Sequence, residues 1–415
     1  MATAGWRVDR RTVLRATGAA GLAGLAGLAA GQEAEITVTG VWTGGEEEDF
    51  LSVVDHVQEE TGVGITYEPR DTEAILTGTL TDFEAGVATA DIVVFPSEAR
   101  VRSDAERGHL EPLDGAWEQA EFAIEPDQVS VDGQPYAAPF KMDLKPGFWY
   151  RQSFFDEHGL EEPGDYDEFL DLLGEIDGID GVEAPIASGN GQGWPLSDLT
   201  EAYILRQEDG ADLQRALIDG EAEFTDDRVR RAFAEIQELH GAGYFSELRD
   251  FGVQFEFLWE NQIPLYFQGS FTPAFEAIQD PEDLGFFGLP GTEAMVASVN
   301  WFTVPTYSEN VDAAVAAAEA FASADAQQVW AERGGFIASN LDVPEEAYQL
   351  EVMADLGQAA GEVDLVPDLD DAVGDPFQSE FWSALTGFWA EPSQDIDPIL
   401  ESLDATLQET VAEDE

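Results

Sequence analysis

Residues 132–160 read DGQPYAAPFKMDLKPGFWYRQSFFDEHGL, and the rest of the chain is organised around them. Lys141 and Lys145 are the only lysines in 415 residues, every other basic side chain being arginine. They lie four residues apart between Pro139 and Pro146, directly before the aromatic run Phe148, Trp149 and Tyr150. Ahead of them, VDGQPYAAPF (131–140) reads as a hairpin and then an extended segment. Two prolines in a β-like run favour a crossing connection over a central strand, because proline cannot donate to a ladder. Behind them, a new α/β unit opens at Gly147, with a strand, a short helix ending at Gly159, and a second helix entered through the acidic cap at 165–167.

Outward from this block the chain alternates strands and helices. EITVTGVW (35–42) alternates β-branched residues as a strand does. Phe50, Val53, Val54 and Val57 recur at helical spacing behind acids at 46–49, which favour the positive end of a helix dipole. A second strand near 63–67, a helix carrying Ile75, Leu76, Leu80 and Phe83, and the buried strand ADIVVFP (90–96) follow. This β-α-β-α-β order implies a parallel sheet whose ligand lies beyond the strands' carboxyl ends, where Trp42 and Phe95 fall. Further on, a glycine-rich loop presents Trp194 and opens into a helix with Asp198 and Glu201 three apart on one face. IPLYFQ (263–268) and VASVNWFTVP (296–305) read as strands, and GGFIASN (334–340) as a glycine-hinged loop. The remainder, 344–415, reads as helical and acidic, with Trp382 and Trp389 in the core. No repeat of fixed period is visible.

The length favours two lobes over one core. The formal charge of −68, from 86 acidic and 18 basic residues, would destabilise a compact state in dilute buffer by self-repulsion. In molar salt the Debye length falls to about 3 Å and the repulsion is largely screened. The acidity therefore reads as adaptation to a hypersaline habitat, and it argues strongly against nucleic acid or anionic lipid as a partner. There is no cysteine, hence no disulfide, thiolate metal site or cysteine nucleophile. The four histidines are scattered without metal-ligand spacing, so neither a metal nor a cofactor is expected.

Residues 1–31 carry Arg7, Arg10, Arg11 and Arg15 before an Ala/Gly/Leu stretch. The Arg10–Arg11 pair with Val13 and Leu14 resembles a twin-arginine export signal, which exports folded proteins. Left uncleaved, the segment could tether the protein to a membrane.

From ITVTGVW through ADIVVFP, GHLEPLDG, the block GQPYAAPF…FWYRQSFFDEHGLEEPGDYDEFLDLL, GQGWPLSDLTEAYILR, ENQIPLYFQGSF and GGFIASN, the chain resembles the carbohydrate-binding group of extracellular solute-binding proteins of ABC importers. GWPLSDLTEAYILR resembles the α-glucoside-type members. The resemblance covers nearly all of 35–415. It departs at FWYRQ, where the family often has tyrosine followed by asparagine, and in lacking a lipidation cysteine. It implies an α/β fold of two lobes, periplasmic-binding-protein-like and of type II, each a mainly parallel sheet flanked by helices. The N-terminal lobe would be 35–138 plus 296–342, and the C-terminal lobe 139–295 plus 343–415. It further implies a monomer that captures a sugar between its lobes and hands it to permease subunits.

A sugar presents an apolar ring face and many hydroxyls, so its site needs aromatic planes beside planar polar groups. Candidates are Trp42 at a strand end, Trp194 in its glycine-rich loop, and Asn300 with Trp301 on the returning strand. Asp198, Glu201 and Glu47 are candidate acceptors, although helix-start electrostatics accounts for acids there equally well. Lys141 and Lys145 would donate to hydroxyls or pair with Asp143, Asp198 or Glu201. Ser270, Phe271 and Phe336 complete the set. Trp259 and Trp330 read as core residues.

A secreted glycoside hydrolase is the rival class, needing two acids roughly 5–9 Å apart across a scissile bond. Acids are so abundant here that any pair is uninformative, and no GxSxG, HExxH or P-loop pattern appears. A binding protein for a polyol or glycerol phosphate is a second alternative. The halophilic reading has its own check: far-ultraviolet circular dichroism should show unfolding on dilution from molar to millimolar KCl. Full retention of structure in low salt would contradict it.

Overall fold

The computed structural model describes residues 34–190, 193–360 and 363–414, so the twin-arginine-like segment lies outside the described residues. Alternation builds the first strand: in β1 (Glu35–Gly40), Ile36 and Val38 enter the core. β1 pairs in parallel with β2 (Gly64–Pro69) and with β3 (Ile92–Phe95). All four residues of β3 are buried, as expected for a parallel strand covered on both faces. The helix Gly45–Thr61 follows β1, with Glu46, Glu47 and Glu48 in its first turn and Phe50, Val53, Val54 and Val57 buried. It stops at Gly62, whose φ of 71° few other residues adopt cheaply and whose N–H donates to Gln58 O.

The lysine block then enters the same sheet. β4 (Ala138–Lys145) is buried at every position. It continues through Pro146 into β5 (Gly147–Arg151), which pairs with β6 (Tyr266–Gln268) and β7 (Leu284–Phe287). The chain returns along β8 (Ala294–Thr303), and β9 (Ile337–Ala338) and β10 (Asp364–Pro367) complete the set. The seven-stranded sheet runs β9-β4-β8-β3-β1-β2, with β10 parallel beside the start of β8; β6-β5-β7 forms a second sheet. Many apolar residues between 148 and 289 share one cluster with the C-terminal helices, while β1 and its neighbours form another. A third cluster bridges them.

The two-lobe α/β architecture is as the sequence implied; three details differ. β4 is a central strand despite its prolines. An extra residue on β4, where the pairing slips between Val299 and Trp301, loosens the ladder beside Pro139 and lets the proline sit there. The second sheet is antiparallel instead of parallel. β5 leaves the crossing point, whereas β6 and β7 run back towards it, β7 to feed β8. The tail is not wholly helical, because Asp364–Pro367 pairs with Ala294–Ala297 of β8.

Gly147 marks the crossing. At its φ of 137°, a Cβ would lie 2.1 Å from the Phe287 carbonyl oxygen. Gly147→Ala should therefore cost at least about 2 kcal/mol through strain and overlap. Denaturant unfolding checks this, and a variant as stable as the wild type would show that the turn has room to relax.

Candidate functional site

The period of two along β4 sends Lys141, Asp143 and Lys145 to one face and Met142 and Leu144 to the other, into an apolar cluster. Ser298, paired with Asp143, and Asn300 extend the polar face on β8. Both line a cavity of about 610 Å³, together with the three charged residues of β4. Its other walls come from residues 41–46 after β1, the start of the helix Trp194–Leu205, the start of the helix Phe251–Trp259, and Asp368, Asp370 and Asp371 after β10.

Neither lysine is bare. Lys141 Nζ lies 2.5 Å from Glu46 Oε1 and 3.0 Å from Asp143 Oδ1; Lys145 Nζ lies 2.9 Å from Asp198 Oδ2. Both ammoniums also stand over aromatic rings: Lys141 is 5.3 Å from the Trp330 centroid, Lys145 is 5.2 Å from that of Trp194, and Phe271 is shared. Burial would lower Lys145, but Asp198, Asp368 and Asp143 hold it above the ordinary lysine value, and Asp143 and Glu46 do the same for Lys141. Both stay charged.

The acids outnumber them. Burial pushes Asp198 up to about 7 against the pull of Lys145, with Asp368 adding to the rise. Burial and then Asp368 push Glu201, Asp370 and Asp371 well above the carboxylate range, and burial raises Glu46 and Asp368.

Trp194 meets Phe251 and Phe271 edge-on, with centroids 4.9 and 5.9 Å away. Gly193, at φ 90°, lets the loop press on Trp382, since a Cβ there would lie 2.4 Å from the Trp382 Cβ. Trp382 in turn donates from Nε1 to Asp370 Oδ2 at 2.7 Å.

Over residues 44–328 the chain matches the model of the bacterial extracellular solute-binding protein family. It is 36% identical over 373 residues to an uncharacterized ABC transporter extracellular-binding protein of Pyrococcus horikoshii, covering 89% of this chain and 87% of that one. The chain belongs to the bacterial extracellular solute-binding proteins. This solute-binding protein is also 27% identical to an α-glucosides-binding periplasmic protein of Rhizobium meliloti, over 75% of its own length and 74% of the relative's. Its fold superimposes with a TM-score of 0.80, at 20% identity, on the bacterial solute receptor AcbH, described as having an exclusive preference for β-D-galactopyranose; 92% of this chain and 99% of that one are covered.

Of the residues singled out from sequence, Trp42, Lys141, Lys145, Trp194, Asp198, Phe271 and Asn300 line the cavity. Trp42 does so only by an edge, being 1% exposed and packed against Phe50, Phe140 and Trp330. The other five stand outside the lining. Glu46, one residue earlier in the same helical turn, takes the place expected for Glu47. Glu201 is buried behind Asp198, its Oε2 accepting from Gln214 Nε2 and the Leu369 N–H. The Ser270 hydroxyl accepts from the Leu144 N–H and its own N–H donates to Leu144 O, so it anchors the crossing strand. Trp301 points to the opposite face of β8 and stacks on Trp117. Phe336 stacks on Trp330 in the apolar cluster around β1.

Sequence reasoning passed over Glu46, Asp368, Asp370, Asp371 and Trp382, and placed Trp382 in the core, whereas it lines the cavity. The PDLDD run (367–371) directly after the apolar pair Leu365 and Val366 was the available signal for the acids.

A carboxylate with a raised folded pKa keeps its proton where the unfolded chain has lost it. Its stabilisation is present at low pH and is lost as pH rises through the folded value, about 7 for Asp198 and for Glu98, buried at the start of the helix Glu98–Glu106. His240, pushed by burial down to about 4, acts oppositely but is a single group. At fixed molar salt the thermal midpoint should therefore fall from about pH 5 to about pH 8, and Asp198→Asn should flatten the slope. A midpoint that rises over that interval would contradict the acid cluster's burial.

Proposed function

We propose that this solute-binding protein captures a mono- or oligosaccharide between its lobes outside the cell and delivers it to the permease of an ABC importer. The observation that carries the reading is the cavity's mixture of groups. Trp194, Trp382, Phe251 and Phe271 offer aromatic surface, while three other residues of the lining, Trp42, Asn300 and Asp370, each carry a buried polar atom (Nε1, Oδ1 and Oδ1) with no hydrogen-bond partner among the described residues. Buried polar atoms are rarely left so, and a ligand that both donates and accepts would satisfy them. Sugar rings do this while stacking an apolar face on tryptophan. The surplus of carboxylates over lysines disfavours an anionic ligand such as glycerol phosphate. The names of the Rhizobium relative and of AcbH support the sugar class. The arginine pair at 10–11 supports twin-arginine export, and the net charge of −68 supports folding in high salt. We further propose that the mature chain acts as a monomer.

Closure has a structural correlate. Gly45 and Gly335, in the N-terminal lobe as we assign it, approach Ala274 of the other lobe so closely that a Cβ would lie 2.3 and 2.7 Å from it. Sugar contacts from both sides of the cavity then favour the closed form. Isothermal titration in molar salt with maltose, galactose, maltodextrins and polyols tests the reading. At least one sugar should bind and quench or enhance tryptophan fluorescence. Trp194→Ala should weaken it tenfold or more, and Gly45→Ala should weaken it without loss of stability. Binding of polyols alone, depletion of the sugar by hydrolysis, or affinity unchanged by Trp194→Ala would overturn the sugar site as drawn.

A further inference from the structure

The charge on one wall of the cavity is left incompletely balanced. Asp198, Glu201 and Asp368 each place one carboxylate oxygen within 4.8 Å of the other two, and all three residues are buried. The one ammonium beside them, Lys145, bonds Asp198 Oδ2. Glu201 is fully buried and fixed in orientation, because its Oε2 accepts from Gln214 Nε2 at 2.7 Å and from the Leu369 N–H at 2.8 Å. Its other oxygen, Oε1, has no hydrogen-bond partner among the described residues, and neither does Oε1 of the buried Gln214. The ionisable neighbours of Glu201 are Asp368, Asp370 and Asp198, all carboxyl groups. A fully buried acceptor held in place among carboxylates and given nothing to accept is an arrangement that attracts a cation.

We infer that Asp198, Glu201 and Asp368 bind a hard divalent cation of calcium size. With their protons displaced by the ion, the three carboxylates and Lys145 carry a charge of −2, which a divalent ion cancels. The donor atoms are all oxygens, with no sulfur or imidazole among them, which suits calcium or magnesium over zinc or copper. Oxygens within 4.8 Å of one another can share an ion at the metal–oxygen distances of about 2.3–2.6 Å that calcium takes, and calcium accepts an irregular shell of side chains where magnesium demands a near-ideal octahedron. Asp198 and Asp368 also line the cavity, so water completes the shell from that side. The ion would tie the helix Trp194–Leu205 to the segment after β10, holding that wall whatever ligand the cavity takes. The site shares Asp198 and Asp368 with the cavity wall, but the ion would bind whether or not a sugar is present.

The test uses the full mature chain in molar KCl, so that weak binding to the acidic surface is screened. Tb³⁺, sensitised by the cavity tryptophans, is titrated and then displaced with Ca²⁺, with Mg²⁺ at matched ionic strength as the control. One saturable class of site displaced by Ca²⁺ at least tenfold better than by Mg²⁺ is expected, along with a Ca²⁺-dependent rise in thermal midpoint. Glu201→Gln keeps an oxygen for the two N–H donors and should fold, while losing the Ca²⁺ response at least tenfold. Asp368→Asn serves as a second variant should the first fail to fold. Equal Tb³⁺ uptake by wild type and both variants, equal displacement by Mg²⁺, or no saturable site would overturn the proposal and leave a shared proton on Glu201 as the neutralising species.

Discussion

A row of buried charge on one strand sets the terms for the rest of the molecule. Lys141, Asp143 and Lys145 alternate onto a single face of β4, where an unpaired charge would be intolerable. Each ammonium therefore requires a carboxylate from another part of the chain: Glu46 from the turn after β1 for Lys141, and Asp198 from the helix Trp194–Leu205 for Lys145. Removing one partner of such a pair typically costs about 3–5 kcal/mol, a large share of the roughly 5–15 kcal/mol that holds a domain together. The pairs thus bind both sides of the cavity to the strand that crosses between them. They also explain why a chain otherwise stripped of lysine retains two. An ammonium is compact enough to sit at the base of a cavity, under Phe271 and beside a tryptophan, where a planar guanidinium would fill the space a ligand needs.

The same face carries more acid than base, and the consequences run through the site. The excess carboxylates sit where burial favours their neutral forms, so protons or cations belong to the folded state in a way that surface acids do not require. Surface acidity and cavity acidity are therefore physically distinct here. The first is a hydrated shell whose repulsion salt screens; the second is a shielded cluster that salt reaches poorly. Aromatic rings close the remaining sides, so the cavity is polar on its floor and apolar on its walls.

Much of the fold was legible because periodicity reports burial directly. The run IVVF, the Phe50–Val57 spacing and the caps at Gly159 and Asp165 each found their element. The central place of β4 was hidden by Pro139, whose missing donor is absorbed by a register slip that leaves no trace in the sequence. β10 was hidden because a four-residue strand in an acidic helical tail carries too little pattern. At the site, chain-local signals worked: the lysine pair and Trp194 after its glycines both reached the cavity. Face was the harder question. Reading β4 as a strand would have set Asp143 between the lysines, and the alternation on β8 that brings Asn300 in sends Trp301 out. Trp382 and the three aspartates after β10 arrive from nearly 200 residues away, and only tertiary packing brings them in.

On this reading the cavity is a sugar site shared between two lobes. A crystal structure of the protein grown with a sugar that binds in solution tests it most directly. Density for the sugar ring is expected against Trp194, with hydroxyls in contact with Asp198 on one side and Glu46 or Asn300 on the other. A ligand seated elsewhere, or held by one lobe alone with these side chains still paired as they are now, would contradict it.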